Sequence, residues 1–143
     1  MPQVDFYVLE SSEPAAREDF LGRFLQKLQK LGSSAYLAVD SSEEARTLDT
    51  ALWAFPPESF LPHALLPDRQ AAPEEAFVIS ALPEDGIDQQ VYINLRREPP
   101  ACHRKLQRLV EVVVQDQQVL TDTRRHFVFY REQGYTVESH NIR

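Results

Sequence analysis

The side chains best suited to hold a metal or attack a substrate are His63, Cys102, His103, His126 and His140, and they are scattered. A zinc or catalytic pair on a helix needs ligands at short, fixed spacing, as in H-E-x-x-H. No such pair occurs in the chain. Cys102 and His103 are adjacent, but sequence neighbours rarely face each other, and they read as a lone thiol in a basic loop. With Cys102 the single cysteine, an intramolecular disulfide and a cysteine-based zinc cage are both excluded. The paired carboxylates Glu43-Glu44 and Glu74-Glu75 suit helix capping and a solvated turn as well as acid–base work. No catalytic, cofactor or metal residues are expected from these patterns.

Phosphate binding can be tested in the same way. A phosphate-cradling turn needs glycines, so that backbone N–H groups can approach the anion. The four glycines are Gly22, Gly32, Gly86 and Gly134, and none lies in the first strand-to-helix turn, Glu10-Ser11-Ser12-Glu13-Pro14. Two carboxylates there repel phosphate, and Pro14 removes a donor. Neither G-x-G-x-x-G nor a P-loop is present.

Chemistry of another kind sits near the end of the chain. Arg124, Val128 and Arg131 fall at i, i+4 and i+7, so one helix face carries them, with Phe127 beside it. On residues alone this reads as an ordinary solvated helix face. A second basic stretch runs from Arg96 to Arg108, with Arg97, Arg104 and Lys105 between and Glu98 opposing.

The elements that must position these residues follow from apolar spacing. Val4–Leu9, Ala35–Val39, Phe77–Ser80, Val91–Leu95 and Leu109–Val114 read as strands. Ala16, Phe20, Phe24, Leu28 and Leu31 recur at helical spacing, with Ser12 as the expected N-cap and Gly32 as the stop. Ser41 and Glu44 form a capping box for a helix ending near Trp53. A last helix covers about Gln117 to Gln133, and Tyr135–Val137 adds a short edge strand. The proline-rich segment from Ala54 to Pro73 is expected to be irregular but packed through Phe55, Phe60, Leu61, Leu65 and Leu66. Alternating strands and helices give an α/β fold: a mostly parallel central sheet with helices on both faces. One domain over residues 1–143 is expected, since 143 residues are typical of one domain and no linker divides the chain.

Composition narrows the partners. Fifteen Lys and Arg against 22 Asp and Glu leave a net charge of −7. Such a surface repels phosphate backbones on average, so strong direct DNA binding is disfavoured unless the basic residues are segregated, and any link to DNA, contacted indirectly, would run through a protein partner. No apolar run reaches the roughly 20 residues that span a bilayer, and the first residues lack a signal-peptide pattern, so a cytoplasmic chain with no membrane contact is expected.

Leu48-Asp49-Thr50-Ala51-Leu52-Trp53, followed by Ser59-Phe60-Leu61-Pro62-His63, resembles the chi subunit family of bacterial DNA polymerase III. Asp5–Leu9, Glu111-Val112-Val113, Tyr130-Arg131 and Gly134-Tyr135 are similar to other parts of that family's pattern, in order and at similar length. The resemblance implies a nucleotide-binding-like topology lacking a phosphate loop, and a non-enzymatic accessory subunit of the clamp-loader assembly in DNA replication. It implies the psi subunit as partner, the acidic C-terminal tail of single-stranded DNA-binding protein as ligand, and a helicase-like repair protein as a further partner. No cofactor is implied.

That tail carries aspartates, then an apolar residue, Pro and a terminal Phe. Its receptor needs an apolar slot and cations for the carboxylates. By similarity, Trp53, Phe60, Arg124 and Phe127 fall at tail-binding positions, and helix geometry extends the set to Val128 and Arg131. The chain departs from the pattern at Leu120 and Val128, where the family carries a lysine, leaving Arg125 or His126 to compensate or a weaker grip. Two other classes stay open on residues alone: a nucleotide or phosphoester enzyme on the same scaffold, and a homodimeric regulator.

Overall fold

The computed structural model describes residues 3–53, 63–66, 77–81 and 89–142, the side chains of Pro14, Trp53 and 63–66 excepted. In chain order the elements are β1 (Gln3–Leu9), α1 (Pro14–Lys30), β2 (Ala35–Ala38), α2 (Ser42–Trp53), β3 (His63–Leu66), β4 (Phe77–Ser80), β5 (Val91–Asn94), a 3-10 turn (His103–Lys105), β6 (Arg108–Val113), α3 (Gln117–Glu132) and β7 (Thr136–Ile142). The strands form one sheet in the order β3-β4-β2-β5-β6-β1-β7, and every pairing is parallel.

Period-two alternation sends each strand's side chains to opposite faces, and both faces are covered. Leu37, Ile79, Ile93, Val110 and Val112 meet Leu21, Leu25 and Leu28 of α1 and Ala45, Leu48 and Leu52 of α2. On the other face, Val4, Phe6, Leu109 and Val113 meet Tyr130 and the half-buried Phe127 of α3. Each large apolar side chain so buried contributes about 1.5–3 kcal/mol.

Several local expectations meet a different outcome. Glu13, not Ser12, occupies the N-cap of α1 and makes no side-chain cap, while Ser11 Oγ accepts the Glu13 amide at 3.0 Å. Within the segment expected to be irregular, His63–Leu66 forms a parallel edge strand on β4. The short Ala-Leu-Leu run is apolar enough to pair, although prolines on both sides disguise it. β7 runs seven residues, well past Val137. Its Glu138-Ser139-His140-Asn141 stretch has little strand propensity, and pairing with β1 overrides that. The capping box does form: Ser41 Oγ accepts the Glu44 amide at 3.1 Å, and Glu44 Oε2 accepts the Asp40 amide. Gly32, at φ +72°, follows the last turn of α1 and takes a backbone angle that residues with a Cβ rarely adopt.

Neighbouring strands β1 and β6 send their following helices to opposite faces, α1 to one and α3 to the other. Crevices of this kind at the carboxyl ends of parallel strands are where nucleotides sit in open α/β sheets. Here the crevice is closed by polar cross-links. Gln115 donates from its backbone to Ser11 O at 2.8 Å and from Nε2 to Leu9 O at 2.9 Å. The cavity of about 220 Å³ beside it is lined by Asp40, Glu44, Asp116 and Asp122 as well as by Arg96 and Arg97. Arg96 Nε donates to Val39 O at 2.8 Å, and Arg97 Nε pairs with Asp122 at 3.3 Å. Its carboxylates and committed arginines suit a phosphate poorly.

Candidate partner-binding face on the last helix

α3 begins where Asp116 caps it, its carboxylate accepting the amides of Gln118 and Val119 at 3.1 and 3.2 Å. Its apolar residues do not fill one narrow stripe. Tyr130 is buried, Phe127 and Phe129 are half-buried, and Val128 is 53 % exposed. Helical rotation thus places Phe127 and Phe129 on the two flanks and Val128 on the crest.

The outer face carries the predicted cations. Arg124 is exposed and has no hydrogen-bond or ion-pair partner among the described residues. Arg131 is exposed, and its guanidinium lies 5.7 Å from the centre of the Phe127 ring. Phe127 in turn packs on Phe6 at 5.6 Å between ring centres. An open groove of about 420 Å³ is lined by Arg124, Arg125, Val128, Phe129 and Glu132. Four of the six predicted site residues, Arg124, Phe127, Val128 and Arg131, therefore share this helix.

The side chains of the other two, Trp53 and Phe60, lie outside the described residues. Trp53 is the last residue of α2, which packs on β4 and β3 with α1 on the opposite sheet face. β4 and β6 are three strand spacings apart, about 14 Å, and the sheet lies between the helices. Phe60 lies outside the described residues.

The inner side of α3 is a closed polar network that sequence spacing did not reveal. Glu111 of β6, 5 % exposed, accepts at Oε2 from Asn94 Nδ2 at 2.9 Å and Tyr130 Oη at 2.6 Å, with His126 Nδ1 at 3.0 Å. The other His126 nitrogen lies 2.7 Å from Arg97 O. Both ring nitrogens face acceptors, the geometry of a doubly donating imidazolium. Burial alone lowers the pKa of His126, but the bond and charge of Glu111 and the Arg97 carbonyl outweigh it and raise the pKa above the ordinary value. The Tyr130 hydroxyl is pushed far up by burial and by Glu111, so it stays protonated.

Beside this network, Asp122 pairs with Arg125 at 2.7 Å and with Arg97 at 3.3 Å, and Arg125 reaches Glu98 at 3.5 Å. Burial opposes the charge on Asp122, but the bonds from Arg125, Arg97 and Gln118 hold its carboxyl below the usual value. Of the two residues expected to replace the missing lysines, His126 is thus buried and bonded inward, and Arg125 is already paired.

A second charged cluster joins β1, β6 and β7. Buried Asp5 accepts from Arg108 Nε at 2.9 Å, with His140 Nε2 at 3.0 Å, and Arg108 Nη2 donates to the Tyr7 hydroxyl at 2.8 Å. Asp5, Glu138 and His140 each bring one potential ligand atom within 4.8 Å of the others. Arg108 and Gln3 hold Asp5 as a carboxylate, and with His140 they outweigh burial and lower its pKa. Cys102 is half-buried and free of any disulfide.

No helix among the described residues is long and apolar enough to cross a membrane. The family model described as "DNA polymerase III chi subunit, HolC" matches residues 1–138. A Pseudomonas aeruginosa protein named DNA polymerase III subunit chi is 35 % identical over 143 residues, covering 99 % of this chain and 98 % of the relative. A Haemophilus influenzae protein of the same name is 23 % identical over 138 residues, covering 96 % and 95 %. With a parallel α/β sheet, no phosphate loop and a match along nearly its whole length, the chain belongs to the DNA polymerase III chi subunit family.

Proposed function

We propose that this protein is a non-enzymatic accessory subunit of the DNA polymerase III holoenzyme, linking the clamp-loader complex, through the psi subunit, to single-stranded DNA-binding protein. The link is made on α3, where the acidic C-terminal tail of single-stranded DNA-binding protein is gripped. The observation that carries this reading is an exposed Arg124, without a partner among the described residues, one turn from an exposed Val128, on a chain whose net charge is −7.

Arg124 receives the terminal carboxylate through a planar, bidentate fork. Val128 and the flanks of Phe127 and Phe129 supply the slot for the terminal ring. Arg131 adds charge for the aspartates. Trp53, at the end of α2, and Phe60 complete the proposed set, their side chains lying outside the described residues. A helicase-like repair protein is a further partner in this reading, and the cytoplasm is where it operates.

Calorimetry with a peptide ending in aspartates, Leu, Pro and Phe tests the seat. Charge-assisted bonds are worth about 1.5–3 kcal/mol, so Arg124→Ala should weaken binding about ten- to a hundredfold and leave the thermal midpoint nearly unchanged. Removing the terminal Phe should have a comparable effect. Equal affinity with and without that Phe, or normal binding by Arg124→Ala, overturns the seat. Phe60→Ala in the same assay decides whether the proline-rich segment contributes a wall.

A further inference from the structure

The cations of this acidic chain are not evenly spread. Residues 96–131 hold eight of the 15 Lys and Arg but four of the 22 Asp and Glu, and two of those four, Glu111 and Asp122, are buried. Two of these cations, Arg104 and Lys105, lie beside the C-terminal half of α3. The 3-10 turn His103–Lys105 packs against the C-terminal half of α3: His103 meets Phe129 edge-on at 5.1 Å between ring centres, and its ring nitrogen bonds Tyr135 Oη. The following Arg104 donates to Gln133 at the end of α3. Lys105 is exposed and has no ion-pair partner among the described residues.

Arg104 and Lys105 therefore continue the groove beyond its α3 wall. We infer that they form a second cationic subsite that reads the acidic residues upstream of the peptide's apolar end. This inference rests on the tail-binding reading of α3 and sets the direction in which the peptide lies. Arg124 and Gln133 are nine residues apart, about 13 Å along the helix axis. An extended peptide covers that distance in about four residues. A chain with its carboxylate on Arg124 thus brings its fourth and earlier residues from the end to Arg104 and Lys105. The opposite direction leads to Asp116 and the glutamines of the first turn, which offer no cation. Glu132 lies in the groove between the two subsites, and it favours a peptide whose apolar residues, not its aspartates, cross that point.

Two peptides separate the subsites: acetyl-Leu-Pro-Phe, and the same sequence preceded by five aspartates. The wild type should bind the longer peptide more tightly, and with a steeper salt dependence. The double variant Arg104→Ala, Lys105→Ala should bind the longer peptide about five- to tenfold more weakly, since exposed pairs each contribute a factor of about two to five. Its affinity for the short peptide and its thermal midpoint should be unchanged.

Equal loss for both peptides, or loss for neither, overturns the subsite. If wild type binds neither peptide, the tail-binding reading itself fails, and this inference falls with it. A parallel titration with an oligothymidylate of about 20 nucleotides decides against the other polyanion. If the double variant lost oligonucleotide binding while keeping that of the longer peptide, the patch would be assigned to single-stranded nucleic acid and the peptide subsite overturned.

Discussion

On the inner side of α3, Asp122, Arg125, His126 and Tyr130 meet partners from the loop after β5 and from β6, and each charge has an opposite within hydrogen-bond reach. On the outer side, Arg124 has no partner among the described residues, Arg131 has a ring, and Val128 faces water. The same helix thus uses arginine in two ways. Inward, the guanidinium completes a network whose members would otherwise be buried and unsatisfied. Outward, it keeps its full hydrogen-bonding capacity for a group that the described residues do not supply. The lesson concerns reading charge: a cation's availability is set by what its helix face packs against, not by its residue type. Arg124 and Arg125 are adjacent and identical in kind, and among the described residues only Arg125 has a partner.

This contrast can be broken most forcefully from the inner side. Glu111→Ala removes the shared acceptor of Asn94, His126 and Tyr130. Stranding buried partners in this way typically costs about 3–5 kcal/mol, to be read from urea unfolding. Glu111→Gln, which keeps one acceptor oxygen, should cost less. Arg124→Ala on the outer side should do the reverse, lowering peptide affinity with stability intact. If both variants changed stability alike, the division of the helix into a folding side and a partner side would be wrong.

A pH series sharpens the same division. The raised pKa of His126 means that its contribution to stability is fully present below the unfolded value, about 6.5, and is lost as pH rises through the folded value. The groups facing it are Glu111 and Tyr130 directly, with Asp122, Arg125, Arg97 and Glu98 in the adjoining network. Unfolding free energy should therefore decline from pH 6 toward pH 9, and His126→Gln should flatten that decline. Asp5 and Asp122 have lowered pKa values, so their contributions hold above the unfolded carboxylate range and disappear as pH falls through the folded values. A decline toward alkaline pH that His126→Gln leaves untouched would show that another group sets it.

The smallest effect is expected at Cys102. Its half-buried thiol forms no disulfide, and Cys102→Ser should change stability by less than about 1 kcal/mol and leave peptide binding as it was. Thermal melting and the peptide titration check both. A tenfold loss of affinity there would show that the turn holding Arg104 and Lys105 needs that thiol in place.

The sequence made some of this legible and hid the rest for physical reasons. Strands such as Leu109–Val114 announce themselves because both faces are buried, so nearly every residue is apolar. β7 is polar because it is an edge strand, and β3 is short and flanked by prolines, so neither carries that signal. The outer residues of α3 could be placed by helical spacing, since i, i+4 and i+7 share a face whatever the tertiary structure. The inner network could not. Glu111 and His126 stand 15 residues apart on different elements, and only the packing of α3 on β6 joins them. Glu111 lay within a run that reads as a buried strand, and the one available signal was a carboxylate where an apolar residue belonged. Trp53 ends α2, on the sheet face opposite α3, and its side chain lies outside the described residues, so similarity in sequence order alone groups it with α3.

The position of β1 has a consequence for how the chain reaches this structure. β1 is synthesised before every other strand of the sheet, yet both its neighbours, β6 and β7, are the last two strands in the chain. Its two edges therefore stay unpaired on a ribosome until residues 108–113 and then 136–142 have emerged, while β2 can already pair with β4 and β5. Loop closure over more than a hundred residues must precede the stabilising contacts, which slows folding and prolongs the life of a half-built sheet. Val4 and Phe6 are exposed during that interval beside open strand edges, a combination that invites association with other chains. Refolding should accordingly be slow for a domain of this size, and its yield should fall as protein concentration rises.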